Sequence, residues 1–172
     1  TAMDDVIIAS DVVIQQMIHL NLLQKIDLTK IENRKNIDPK FLNPEFDPKN
    51  EYTVPYLWGT SGIVYNDTTI APEDVSYEML FDSTKTIGNF SLLDESRSML
   101  SMTLQSLGLN PNTKDKEDIK KAVDVLLKAK SNSKFIGFDG SVAGKDKMIS
   151  GLTQMAVVFN GEAQMAISEN PN

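Results

Sequence analysis

The sequence has no cysteine and one histidine, His19, in 172 residues. Without cysteine, a disulfide framework and a thiolate metal site are excluded, although the absence fits either side of a bacterial membrane. With a single imidazole, neither a histidine-based triad nor a multi-histidine zinc site can be assembled within the chain. His19 lies between Ile18 and Leu20 in a helical pattern and reads as a packed or surface histidine. No apolar run reaches the roughly 18–20 residues of a membrane span, and no secretory leader pattern is present. Internal repeats and low-complexity tracts are lacking too. A strand-like run begins at once after residues 1–5, and Asn170-Pro171-Asn172 follows directly on a helical pattern. The chain therefore reads as an internal piece of a longer protein.

What is present is acid. Asp and Glu number 24 against 17 Lys and Arg, for a net charge of −7. That balance repels nucleic acid and anionic membrane surfaces. It attracts small cations only weakly, since salt screens long-range fields, and it serves solubility equally well. Hydrophobic residues make up 41% and charged residues 24%, so a core can form and wholesale disorder is excluded.

A unit of strand, polar corner and helix recurs. Residues 6–9 (Val-Ile-Ile-Ala) form a short apolar run, as expected of a strand buried on both faces. Ser10-Asp11 can cap the helix on which Val13, Ile14, Met17 and Ile18 fall at helical spacing. A second strand is expected over 87–93, weakened by Gly88 and Asn89. The corner Asp94-Glu95-Ser96 and a helix with Met99, Leu100, Thr103, Leu104 and Leu107 follow, and Gly108 is placed to end that helix. The third unit is a strand over 154–159, the corner Asn160-Gly161 and a helix over 162–168. The clearest helix spans 115–130, with Ile119, Ala122, Val123, Leu126 and Leu127 on one face, acids in its first turn and lysines in its last. Residues 28–50, rich in Asn, Asp, Pro and Lys, read as loops with short helical turns. Residues 52–65 read as one or two strands, with Gly59 and Gly62 marking a bend or bulge.

Alternating strands and helices imply an α/β fold with a largely parallel sheet. Ligands of such sheets sit beyond the carboxyl ends of the strands, near helix N-termini. The three corners are thus either plain helix caps or parts of a site. Residues 140–147 (GSVAGKDK) fail as a phosphate loop. Asp139 stands where the first glycine is needed, Asp146 stands where Ser or Thr should follow the lysine, and the run reads as a surface turn into a short helix. Asp94, Glu95, Asp139 and Glu162 could supply a carboxylate pair, but no nucleophile motif accompanies them, so no catalytic residue, metal ligand or cofactor is assigned. Trp58 and Phe159 stand beside the Gly-Thr and Asn-Gly corners. Aromatic faces with nearby carboxylates suit an organic ammonium ion, while Tyr52 and Tyr65 read as core.

Residues 52–66 (YTVPYLWGTSGIVYN) closely resemble the VPY-x-WGT-x-G-x-x-YN stretch of the spermidine/putrescine-binding protein family. Residues 5–11 (DVIIASD) are similar to the family's DVVVPSDY, with Ala9 in place of proline and Val12 in place of tyrosine. The Ile26-Asp27 pair and the NIDPKFLN run, the LDESR run over 93–97 and Phe159-Asn160-Gly161 resemble further family segments. The resemblance implies a type II periplasmic-binding-protein-like α/β fold of two lobes. Residues 1–50 would belong to the first lobe, 51–66 would be a crossing strand, and 67–172 would form most of the second. It implies capture of a small-molecule polyamine outside the cytoplasmic membrane, in the periplasm or on a membrane-anchored lipoprotein. The solute would be delivered to an ABC permease and its ATPase. It implies no chemistry, no nucleic acid and no membrane contact except through the transporter or an anchor outside this piece. The ligand-binding residues so implied are Ser10, Asp11, Val12, Trp58, Thr60, Asp94, Glu95, Ser98, Phe159 and Asn160. Glu95 matches an acid that pairs with an ammonium group, and Ser98 stands where a second acid is common. Phe159 stands where a tryptophan packs along the ligand. These departures leave room for a different small cationic solute, and the scaffold could also serve as a sensory domain.

Overall fold

The computed structural model describes residues 5–170, so residues 1–4 and 171–172 at the two ends lie outside it. The chain divides into two compact units, Thr1–Trp58 and Gly59–Asn172. The second unit holds a four-stranded sheet in the order β1-β4-β2-β3, where β1 is Ser61–Tyr65, β2 Phe90–Leu93, β3 Phe135–Asp139 and β4 Met155–Phe159. β4, β2 and β3 run parallel, and β1 pairs antiparallel with β4 in unbroken register from Ser61↔Phe159 to Tyr65↔Met155. The helices of this unit are α2 (Glu78–Phe81), α3 (Ser96–Ser106), α4 (Lys116–Lys130), α5 (Ser141–Ile149) and α6 (Asn160–Glu169).

The run Met155-Ala-Val-Val explains why β4 lies inside the sheet. Met155 and Val157 enter the core that also holds Leu80, Phe90, Leu92, Met99 and Ala129, beneath α2, α3 and α4. Ala156 and Val158 point the other way, against Met148 and Ala163 on α5 and α6. A strand covered on both faces has no use for alternation and reads as a continuous apolar run. α3 ends as the sequence predicts: Gly108 takes φ +70°, its amide donates to the Gln105 carbonyl, and the Leu109 amide donates to the Leu104 carbonyl. This is the paired bonding of a left-handed helix terminus.

Several expectations are corrected. Residues 6–9 form no strand, and Val6 and Ile8 are 85% and 73% exposed. The first unit has no strand among its described residues, so nothing can pair with that run. Of residues 52–65 only the last five are a strand, without a bulge, and Tyr56 to Trp58 stand exposed. Gly140 to Lys147 is no surface turn. It makes up most of α5, with Gly144 packed against the side chains of Val158 and Ala156. On α4 the buried stripe is Ala122 and Ala129 with Leu126 beside them, while Val123 and Leu127 are turned toward solvent. β3 has no counterpart in the sequence reading. It is an edge strand whose Ile136 and Phe138 face outward.

The first unit contains α1 (Asp11–His19) followed by three 3-10 turns within residues 28–41, as its Asn- and Pro-rich composition predicts. Its loops are tied by the buried Asp47. That carboxylate accepts bonds from the amides of Glu51, Tyr52 and Thr53 and from the Thr53 hydroxyl.

Candidate functional site

In the second unit, the parallel strands bring their carboxyl ends to one edge of the sheet. Counting on from the pair Ser91↔Ala156 brings Asp94 level with Phe159, and Leu93 lies directly opposite Asp139 on the other side. Because β1 is antiparallel, its first residues reach the same edge, and Thr60 adjoins Asn160 there. Strands sit about 4.8 Å apart, so Thr60, Asn160, Phe159, Asp94 and Glu95 line one rim.

Glu95 is the N-cap of α3. Its carboxylate accepts the Ser98 amide at 2.7 Å and the Arg97 amide at 3.3 Å. A carboxylate offers about four acceptor positions, so a cap that uses two leaves two for another donor. Glu95 is only half-buried and Asp94 beside it is exposed, so both can be reached from solvent. Ser98 turns its backbone amide to Glu95 and contributes no charge of its own. Phe159, at the end of β4, keeps 39% of its surface exposed although the four residues before it are buried. Its amide donates to the Ser141 hydroxyl, which holds the start of α5 at the same rim.

Asn160 bonds within the rim. Its side-chain oxygen accepts the Thr60 amide at 3.1 Å, and its own amide donates to the Thr60 carbonyl at 2.8 Å. The residue ties two strands together at the rim. Asp139 was outside the expected set, although the structure places it at this edge. Its carbonyl accepts the Asp94 amide, and its carboxylate holds Lys147 at 2.7 and 2.8 Å. The alternating pattern of FIGFD over 135–139 was the signal for it, blurred by Gly137.

In the first unit, Ser10 is the N-cap of α1 but makes no side-chain bond to it, and Asp11 and Val12 open that helix. Trp58 stands elsewhere in the unit. Its ring lies 5.5 Å from that of Phe41, and the Lys40 ammonium lies 4.8 Å from the Phe41 ring and 6.0 Å from that of Trp58. These aromatic faces already attract a cation from the chain itself. His19 is a surface residue bonded to the Gln15 carbonyl.

Two hollows of the second unit lie away from the rim. One, of about 940 Å³, runs between α2, the end of α3 and α4, and the other, of about 320 Å³, lies between β1, α5 and α6. Among the described residues no group of His, Asp or Glu could hold a metal ion, and no helix is long and apolar enough to cross a membrane.

The chain is 30% identical over 162 residues to the spermidine/putrescine-binding periplasmic protein of Escherichia coli, a match covering 94% of this chain and 46% of that one. It is 32% identical to the putrescine/agmatine-binding protein of Pseudomonas aeruginosa, over 96% of this chain and 48% of the relative. It superposes with TM-score 0.71 on the spermidine/putrescine ABC transporter substrate-binding protein of Streptococcus pneumoniae, at 35% identity, covering 92% of this chain and 48% of that one. The chain thus spans about half the length of the curated relatives it matches. The bacterial extracellular solute-binding protein model matches residues 1–172 throughout, and the chain belongs to that family.

Proposed function

We propose that the protein is the solute-binding component of an ABC importer. It would hold a polyamine such as putrescine or spermidine outside the cytoplasmic membrane and pass it, chemically unchanged, to a permease driven by an ATPase. The observation that carries this reading is the rim of the second unit. There the partly exposed Glu95, with acceptor positions to spare, stands in line with Asp94 and with the exposed ring of Phe159. Ammonium groups take charge-assisted bonds from carboxylates and lie well against aromatic faces. The printed names of the relatives support the same solute class. On this reading residues 1–50 belong to a first lobe, 51–66 cross between lobes, and 67–172 supply most of a second. Ser10, Asp11 and Val12 would add contacts from the first lobe, and Trp58 from the crossing segment.

One observation favours a neighbouring reading. Ser98 brings no carboxylate and Val12 no ring, so a cation with fewer or differently spaced ammonium groups fits the rim as well. Calorimetric titration of the complete gene product with putrescine, spermidine and agmatine separates the two. Micromolar or tighter binding of putrescine or spermidine is expected. No heat at millimolar concentrations of either, with a clear signal from agmatine or another organic cation, would overturn the polyamine reading.

A further inference from the structure

We infer that Asn160 is a positioning residue: it fixes the Gly59-Thr60 turn at the site's rim, and residue 59 is glycine because the Asn160 side-chain carboxamide fills the space a side chain would need. The inference rests on the reading of this rim as the solute site.

Three observations meet at one point. The Asn160 side-chain oxygen accepts the Thr60 amide at 3.1 Å. The Asn160 amide donates to the Thr60 carbonyl at 2.8 Å, one step beyond the last ladder pair, Ser61↔Phe159. A Cβ built on Gly59 would clash with that same side-chain oxygen, so an alanine there would have to displace it. The φ of Gly59 is not in the left-handed region, so close approach, and not backbone freedom, sets the need for glycine.

The arrangement has a purpose that ladder bonding alone does not supply. The preceding residues Tyr56, Leu57 and Trp58 are exposed and irregular, so the sheet exerts no hold on the chain before Gly59. The Asn160 clamp adds a bond exactly where the strand ends. It settles the placement of Thr60, whose hydroxyl has no protein partner among the described residues.

The test uses the complete gene product and four variants: Asn160→Asp, which keeps the acceptor oxygen; Asn160→Leu, which removes it; Gly59→Ala, which expels the amide while leaving Asn160 in place; and the Gly59→Ala/Asn160→Leu pair. Putrescine and spermidine affinities are measured by calorimetry, and the Thr60 amide is followed by hydrogen exchange without ligand. The Thr60 amide should be protected in the natural protein and in Asn160→Asp, and exposed in Asn160→Leu and Gly59→Ala. Both of the latter should bind about tenfold more weakly, and the double variant no more weakly than either, because coupled residues are not additive. Natural affinity in Gly59→Ala, or losses that multiply in the double variant, would make Asn160 an independent ligand contact and overturn the inference. Unchanged Thr60 protection in Asn160→Leu would overturn it whether or not any variant binds. Absence of binding by the natural protein would instead remove the solute reading, and Thr60 exchange would still decide the clamp.

Discussion

Glu95 carries two duties that substitution can separate. As the cap of α3 it needs only an acceptor oxygen, whereas as a partner for an ammonium group it needs charge. Glu95→Gln keeps the first and loses the second. Stability by urea unfolding should stay within about 1 kcal/mol of the natural protein, the usual range of a cap. Polyamine affinity should fall at least tenfold, since a charged hydrogen bond contributes about 1.5–3 kcal/mol and ~1.4 kcal/mol is a factor of ten. Unchanged titration curves would remove Glu95 from the site. Far from the rim, Asp82 offers a test of local electrostatics. The Thr84 hydroxyl, and after it the Thr84 amide, hold the Asp82 carboxyl below the usual carboxylate range. A pKa lowered in the folded state adds stability above the unfolded value that is lost as pH falls through the folded one. In Thr84→Val the carboxyl should titrate nearer its ordinary value in an NMR pH series, and the acid-side loss of stability should be smaller and complete at a higher pH. An Asp82 curve that does not move would assign the shift to something other than Thr84.

At the scale of elements, α5 is held to the sheet by a small residue. A Cβ on Gly144 would stand 3.0 Å from the Val158 side chain and 3.8 Å from that of Ala156. Gly144→Val should therefore push α5 away from β4 and cost about 1–3 kcal/mol, the range of core overpacking, seen as a lower melting temperature. An unchanged melting curve would mean that α5 has room to move. The same helix marks where sequence reading stops. The amphipathic α4, the left-handed end of α3 at Gly108 and the strand over 154–159 were legible because periodicity, caps and apolar runs are local signals. α5 was legible only as a short helix after a surface turn, because residues 140–147 carry Gly and charge in place of an apolar stripe, and what buries Gly144 is the approach of β4 from elsewhere in the chain. β3 was hidden for a related reason: an edge strand needs little hydrophobicity, and its Gly137 interrupts the alternation. The run over 6–9 failed in the opposite sense. It has the composition of a strand but no strand partner among the described residues of its unit, and strand propensity is packing against neighbours more than an intrinsic preference. Of the rim, the corners at Asp94-Glu95 and Phe159-Asn160 were legible as strand-to-helix turns. That Asn160 bonds to Thr60, one hundred residues away, was not, since no local pattern encodes it.

The two units differ in what holds them, and this predicts how the molecule comes apart. The second unit buries Ile70, Leu80, Phe90, Leu92, Met99, Met155 and Val157 almost completely. At about 1.5–3 kcal/mol for each large side chain, that core is of the size that lets a domain fold alone. The described residues of the first unit bury one apolar side chain, Ile14, and leave Val6, Ile8, Leu20 and Leu22 more than 60% exposed. What organises this unit is polar: the Asp47 carboxylate with its four donors, and the buried Asn50, whose side chain accepts the Asn43 amide. Hydrogen bonds of this kind fix a loop's shape but give little net stability, about 0.5–1.5 kcal/mol each, against an ordering cost of about 1–2 kcal/mol per residue. A fragment covering residues 59–172 should therefore give a single cooperative melt with native-like circular dichroism. A fragment covering 1–58 should show neither. In the joined chain, limited proteolysis should cut first in the exposed run 56–58 and leave the second unit whole. A 59–172 fragment that melts gradually, or a protease that cuts within the sheet before that run, would mean that the second unit depends on the first for its fold.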